Sequence, residues 1–189
     1  MTEITHLKAR APGKLILSGE HAVIYGHPAI AMAINRYTES TVQWTLPFHL
    51  SFNLLGIDFK QHITLDALIK LKNKLKKQYQ KFSTGDINIR EVLKHPFELT
   101  MYTAMSVIEK FKDNLPMGID IVTDSSIPIG SGLGSSAASV VSVTYALSKL
   151  LNINLSVDDQ LRLRIESEHL QHSYSSGLVV KLIHQGGAL

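Results

Sequence analysis

The sequence predicts an α+β domain, a sheet carrying helices. Three observations lead there: a β-rich opening of strand-like runs, two long stretches with apolar residues at helical spacing, and a strand that passes through a glycine-rich loop into a further helix. At 189 residues, 44% of them hydrophobic, the chain can bury the core of one domain, or of one domain with a small appendage.

Taken in order, Leu15-Ile16-Leu17 reads as a short buried strand and residues 19–26 as the turn leaving it. Segments 29–34, 39–46 and 49–54 continue as strands, broken at Asn35-Arg36 and at Pro47. Thr64 caps an expected helix over 65–82, in which Leu68, Leu71, Leu75 and Phe82 form one apolar stripe. Lys70, Lys72, Lys74, Lys76, Lys77 and Lys81 lie off that stripe and read as a solvated face; without interleaved aromatics they do not indicate nucleic acid. Ser83-Thr84-Gly85-Asp86 breaks the helix, and 97–112 resumes helical spacing through Leu99, Met101, Met105, Ile108 and Phe111. Both helices are expected to cover the sheet. Residues 118–124 alternate as a half-buried strand, 137–151 follow as a helix, and Asn152-Ile153-Asn154 ends it. Ser156 with Asp159 opens a last helix, from about 157 to 172, which carries Glu166 and Glu168.

Between the last strand and the helix at 137 stands Pro128-Ile129-Gly130-Ser131-Gly132-Leu133-Gly134-Ser135-Ser136-Ala137-Ala138. Glycines at alternate positions can take positive φ without a Cβ penalty, so successive N–H groups can turn inward as an anion-binding nest. Ser135 and Ser136 stand where a helix begins, and the unpaired N–H groups of a helix start favour a polyanion. Two readings remain open on these residues alone: a phosphate cradle, or a serine-capped helix after a flexible turn. The loop lacks the Gly-Lys-Ser/Thr ending of a Walker A motif, and it does not open from the first strand of a dinucleotide unit.

A second motif lies near the amino terminus: Ala11-Pro12-Gly13-Lys14-Leu15-Ile16-Leu17-Ser18-Gly19-Glu20-His21-Ala22-Val23-Ile24-Tyr25-Gly26. Together the two motifs resemble the GHMP kinase superfamily. Ala-Pro-Gly-Lys followed by Gly-Glu-His-Ala-Val resembles its mevalonate kinase group, whereas galactokinases typically carry Gly-Glu-His-Thr-Asp-Tyr. The resemblance implies the family's amino-terminal fold (ribosomal protein S5 domain 2-like), an antiparallel-rich mixed sheet with helices packed on it, over residues 1–189. It implies transfer of the ATP γ-phosphoryl group to the primary hydroxyl of mevalonate or a similar small alcohol, with ATP and Mg²⁺ as cofactors.

By the same resemblance Lys14 lies near the substrate hydroxyl and the transferred phosphate, where a fixed cation stabilises spreading negative charge. On position alone it is an ordinary surface lysine. Glu20 and His21 either contact substrate or cap a turn, and Asn35 is either a substrate contact or a turn asparagine. Pro128, Gly130, Ser131, Gly132, Leu133, Gly134, Ser135, Ser136 and Ala137 match the family's ATP loop, and Glu168 falls on its magnesium-binding glutamate, with Ser135 or Ser136 sharing the ion.

Two departures stand out. The family's Glu, His-Gly, Ser-Gly-X-Asp run is here Glu168-His169-Leu170-Gln171-His172-Ser173-Tyr174-Ser175-Ser176-Gly177-Leu178-Val179. Ser173 replaces a glycine, and Val179 occupies the position of the catalytic aspartate; valine cannot accept a proton or pair with Lys14. His169 and His172, at helical spacing without a convincing third ligand, read as helix-end histidines rather than a metal pair. The resemblance also covers only an amino-terminal half, so a carboxy-terminal GHMP domain is expected to be missing, and a homodimer partner or that half is the implied protein partner.

The formal charge of +3 is mild and much of the excess lysine falls in one segment, so no general nucleic-acid surface is indicated. With no cysteine there are no disulfides and no thiolate metal sites. Met1-Thr2-Glu3 lacks the apolar core of a signal peptide, and the most apolar stretch, 137–151, is too short and too interrupted by Ser, Thr and Lys to span a bilayer. A cytosolic protein without a membrane segment is expected.

Overall fold

The computed structural model describes residues 6–46, 49–109, 115–171 and 183. Strands β1 (His6–Ser18), β2 (Ile30–Thr45), β3 (Leu50–Leu54), β4 (Phe59–Ile63) and β5 (Gly118–Ser125) form one sheet in the order β1-β2-β5-β3-β4. β1 with β2, β2 with β5, and β3 with β4 pair antiparallel, and only β3 with β5 pair parallel. The expected antiparallel-rich α+β architecture is thus observed. Its helices are α1 (Leu65–Ser83), α2 (Pro96–Ile108), α3 (Ser135–Leu150) and α4 (Val157–His169).

The sheet face that carries Val42, Phe52, Ile119 and Ile121, each 0% exposed, packs on Met101 and Met105 of α2 and on Val143 and Leu147 of α3. Burying each such side chain is worth roughly 1.5–3 kcal/mol relative to exposure, so this layer supplies most of the drive for folding. α2 is buried on nearly every side, which fits a sequence with little polar periodicity. α3 needs its small hydroxyls to approach the sheet: Ser142 and Ser40 share a hydrogen bond of 2.7 Å across that interface. α1 starts where Thr64 accepts from the Ala67 N–H, and its stripe turns inward, with Leu68 and Leu75 fully buried and Leu71 and Phe82 packed beside them. α4 starts at Ser156, which accepts from the Asp159 N–H at 3.1 Å.

Three expectations need correction. Asn35-Arg36 does not break the chain into two strands. Pro12 pairs with Tyr37 and Gly13 with Ile34, so the two residues form a bulge in a continuous β2, opposite the bend that Pro12-Gly13 imposes on β1. Leu15 and Leu17 are not buried; they are 40% and 59% exposed, and Met32, the partner of Leu15 on the interior strand β2, is 39% exposed, so they stand on a sheet face that the described helices leave uncovered. Lys72 does not belong to a solvated face. It is 4% exposed and its ammonium reaches Glu109 at 2.6 Å, beneath the Tyr102 ring. The long stem packs inward while the charge finds a partner.

Candidate active site

The glycine loop between β5 and α3 has alternating handedness. Gly130, Gly132 and Gly134 take φ of 75°, 73° and 78°, a region that other residues occupy at a cost. Ser131 pins the turn from within, its hydroxyl donating to the Pro128 carbonyl at 2.7 Å. A Cβ at Gly130 or Gly132 would meet nothing within 4 Å, so these two glycines serve conformation and leave open space above the backbone.

α3 begins differently from the other described α-helices. Its N-cap is Gly134, with no side-chain cap and no acidic residue in the first turn. By contrast Thr64 caps α1, Ser156 caps α4, and at α2 the Glu98 carboxylate accepts from the N–H groups of Lys94 and His95. Of the two readings left open by the sequence, the serine-capped helix is therefore not the one observed. Donors at the start of α3 and the positive end of its dipole are left for an external anion.

Lys14 of β1 is bound to this loop by its own backbone, its N–H donating to the Leu133 carbonyl at 2.8 Å. The approach is close enough to require glycine on both sides. A Cβ at Gly13 would lie 2.9 Å from the Leu133 oxygen, and one at Gly134 would lie 2.9 Å from Lys14 Cγ. The two sequence motifs, 11–26 and 128–138, thus interlock at this contact. The Lys14 side chain is only 8% exposed, yet its ammonium forms no ion pair with a described residue. A buried cation without a carboxylate partner among the described residues is suited to a ligand's negative charge.

Above the loop opens a cleft of about 870 Å³. Lys14, Glu20, Pro128, Gly130, Ser131, Gly132, Leu133, Gly134, Ser135, Ser136 and Glu168 all line it. Glu168 arrives from the last turn of α4 and is 5% exposed. A carboxylate and two serine hydroxyls lining one cleft are oxygen donors of the kind magnesium prefers. Among the described residues no cluster of three or more His, Cys, Asp or Glu forms a protein-only metal cage. Ala137 does not line the cleft but packs beneath the loop, against Ala11, Ile127 and Val141. His21 and Asn35 are exposed and outside the lining, in the turn after β1 and in the β2 bulge. His172 and Val179 lie outside the described residues. His169 stacks on Tyr79 instead of facing the cleft.

The sequence and the fold both have known relatives. The family profile "GHMP kinases N terminal domain" matches residues 100–185. A mevalonate kinase of Pyrococcus horikoshii is 34% identical over 187 residues, covering 98% of this chain and 51% of the relative. A mevalonate kinase of Arabidopsis thaliana is 35% identical over 162 residues, covering 75% and 42%. The crystal structure of the Methanococcus jannaschii mevalonate kinase superposes with a TM-score of 0.78 at 26% identity, over 98% of this chain and 53% of that one. The chain belongs to the GHMP kinases, as their amino-terminal domain. It spans about half the length of the curated relatives it matches.

The cleft is also lined by residues that the sequence did not mark. Thr38 and Ser125 share a 2.8 Å hydrogen bond on the cleft floor, joined there by Thr123, Thr100 and Ser139. Leu54, Ile57, Ile89 and Leu93 give one wall an apolar surface, with Arg90 and Lys94 beside them. These residues come from β2, β3, β5, α2, α3 and two short turns, so no local spacing gathers them. The available signal was a hydroxyl at an inward position of the alternating strands, as at Thr38 and Thr123. Among the described residues no helix is long and apolar enough to cross a membrane.

Proposed function

We propose that residues 1–189 form the ATP-binding domain of a mevalonate kinase-type enzyme, which moves the γ-phosphoryl group of ATP to the primary hydroxyl of mevalonate. The observation that carries the reading is the uncapped start of α3, set within a nest of three positive-φ glycines and hydrogen-bonded to the strand of Lys14. Bound magnesium–ATP would supply the phosphoryl group and neutralise part of its charge. The loop from Pro128 to Ala137 would bind the phosphates through backbone N–H groups. Ser135, Ser136 and Glu168 would hold the metal, and Lys14 would stabilise charge spreading onto the transferred group. Glu20, at the cleft edge, is suited to orienting the alcohol; His21 and Asn35 would reach substrate only if the turn and the bulge bend toward the cleft. The relatives named mevalonate kinase support this substrate over other alcohols.

Turnover of magnesium–ATP with mevalonate, set against galactose, homoserine and phosphomevalonate, tests the assignment. Preference for mevalonate is expected, and preference for galactose moves the chain to another branch. The absolute rate of the 189 residues is expected to be low, because Val179 offers no base at the aspartate position and general-base help is worth ~10²–10⁴-fold. That valine also supports a second reading, a nucleotide-binding module without catalysis. Turnover by the chain with Val179 kept, fused to a related carboxy-terminal half, separates the two: the module reading predicts none, with recovery only in the fused Val179→Asp protein.

A further inference from the structure

Glu168 stands in the last turn of α4, where a helix end opens at little cost and a metal-binding carboxylate has to be held from outside. The residues that follow it are gripped by elements away from the loop, while Ser167 before it, 0% exposed, donates within α4 to the Leu163 carbonyl at 2.9 Å. Leu170, 2% exposed, inserts into the cluster of Leu75, Val92 and Tyr102. The His169 imidazole lies parallel to the Tyr79 ring of α1, with 6.2 Å between centroids and 6° between planes, and Tyr79 is braced by Phe82 at 5.8 Å. Neither Tyr79 nor His169 lines the cleft, whereas Glu168, Leu170 and Gln171 do.

We propose that Tyr79 is a positioning residue for the metal site: stacked on His169, it fixes the end of α4 and with it the direction of the Glu168 carboxylate. The inference rests on the reading of Glu168 as a magnesium ligand. Stacking between an aromatic pair at this separation is directional, so the ring sets orientation as well as burial. Groups that orient a metal ligand without touching the metal typically change metal affinity 10–100-fold when removed. The lysine-rich helix α1 thereby gains a part in the site through its one ring at the end of α4.

The experiment is calorimetric titration of the full chain with ATP in excess Mg²⁺ and with ATP in EDTA, the ratio of the two affinities being the readout. The wild type is expected to bind more tightly with Mg²⁺. Tyr79→Ala is expected to reduce that ratio about tenfold with ATP–EDTA affinity unchanged, and Tyr79→Phe, which keeps the ring, to retain it. Tyr79→Leu takes the place of the alanine variant if the latter does not melt cooperatively. Glu168→Gln is the control for the underlying reading. If it keeps the wild-type ratio, or if the wild type binds no ATP, the magnesium reading fails and this inference with it. If Glu168→Gln loses the ratio while Tyr79→Ala keeps it, or if Tyr79→Ala weakens binding equally with and without Mg²⁺, the positioning role alone is overturned.

Discussion

Gly134 does three things at one residue: it takes a φ of 78°, leaves the start of α3 uncapped, and lets Lys14 lie against its backbone. Gly130 shares the dihedral, at 75°, but a Cβ there would meet nothing within 4 Å. Alanine at Gly130 is therefore expected to cost about 1–2 kcal/mol through backbone strain alone. Alanine at Gly134 adds a contact of 2.9 Å to Lys14 Cγ, which the buried stem cannot easily leave, so its cost is expected to exceed that of Gly130→Ala. Denaturant melts of the two variants check this, and equal losses would show that the Lys14 contact carries no strain. The positive φ at alternate glycines was legible in the sequence, because only glycine takes that conformation freely. The contact between Gly134 and Lys14 was not, since it joins residues of distant segments and depends on the sheet being assembled.

At the scale of the element, α2 is the helix on which the others rest. Its Tyr102, 3% exposed, has its phenol pushed up to about 12, by burial first and then by the carboxylates of Glu166 and Glu109. The unfolded chain sheds this proton near pH 10 and the folded chain holds it to about 12. Between those values folding requires proton uptake, so the stability that Tyr102 contributes is complete below pH 10 and is lost as pH rises through 12. The difference between wild type and Tyr102→Phe isolates the phenol. The variant is expected to gain on the wild type by roughly 2 kcal/mol between pH 10 and 12, read from denaturant melts across that range. A constant difference would contradict the burial argument. Elements of this kind were legible where periodicity is strong: α1, α3 and α4 fall close to their expected bounds, with caps at Thr64 and Ser156. Which sheet face stays uncovered was not legible. A run such as Leu15-Ile16-Leu17 looks the same whether one face of its strand is covered or both, and a bulge at Asn35-Arg36 looks like a turn until its partner strand is in place.

At the scale of the molecule, the sheet brings β1 and the β5–α3 loop to one end, where the cleft opens, and α4 delivers Glu168 to the same space. Both motifs were legible singly; that they form one wall is a consequence of the β1-β2-β5 order, which places the Lys14 strand and the strand leading into the loop on either side of β2. The central claim is that this wall is a nucleotide phosphate site built from backbone N–H groups. Calorimetric titration of magnesium–ATP into the wild type and into Gly132→Asp tests it most directly, because Gly132 stands in open space and an aspartate there brings negative charge into the nest and strain to a φ of 73° without disturbing the core. The account predicts binding by the wild type and none by a Gly132→Asp protein that still melts cooperatively; equal affinity in the two proteins would contradict it.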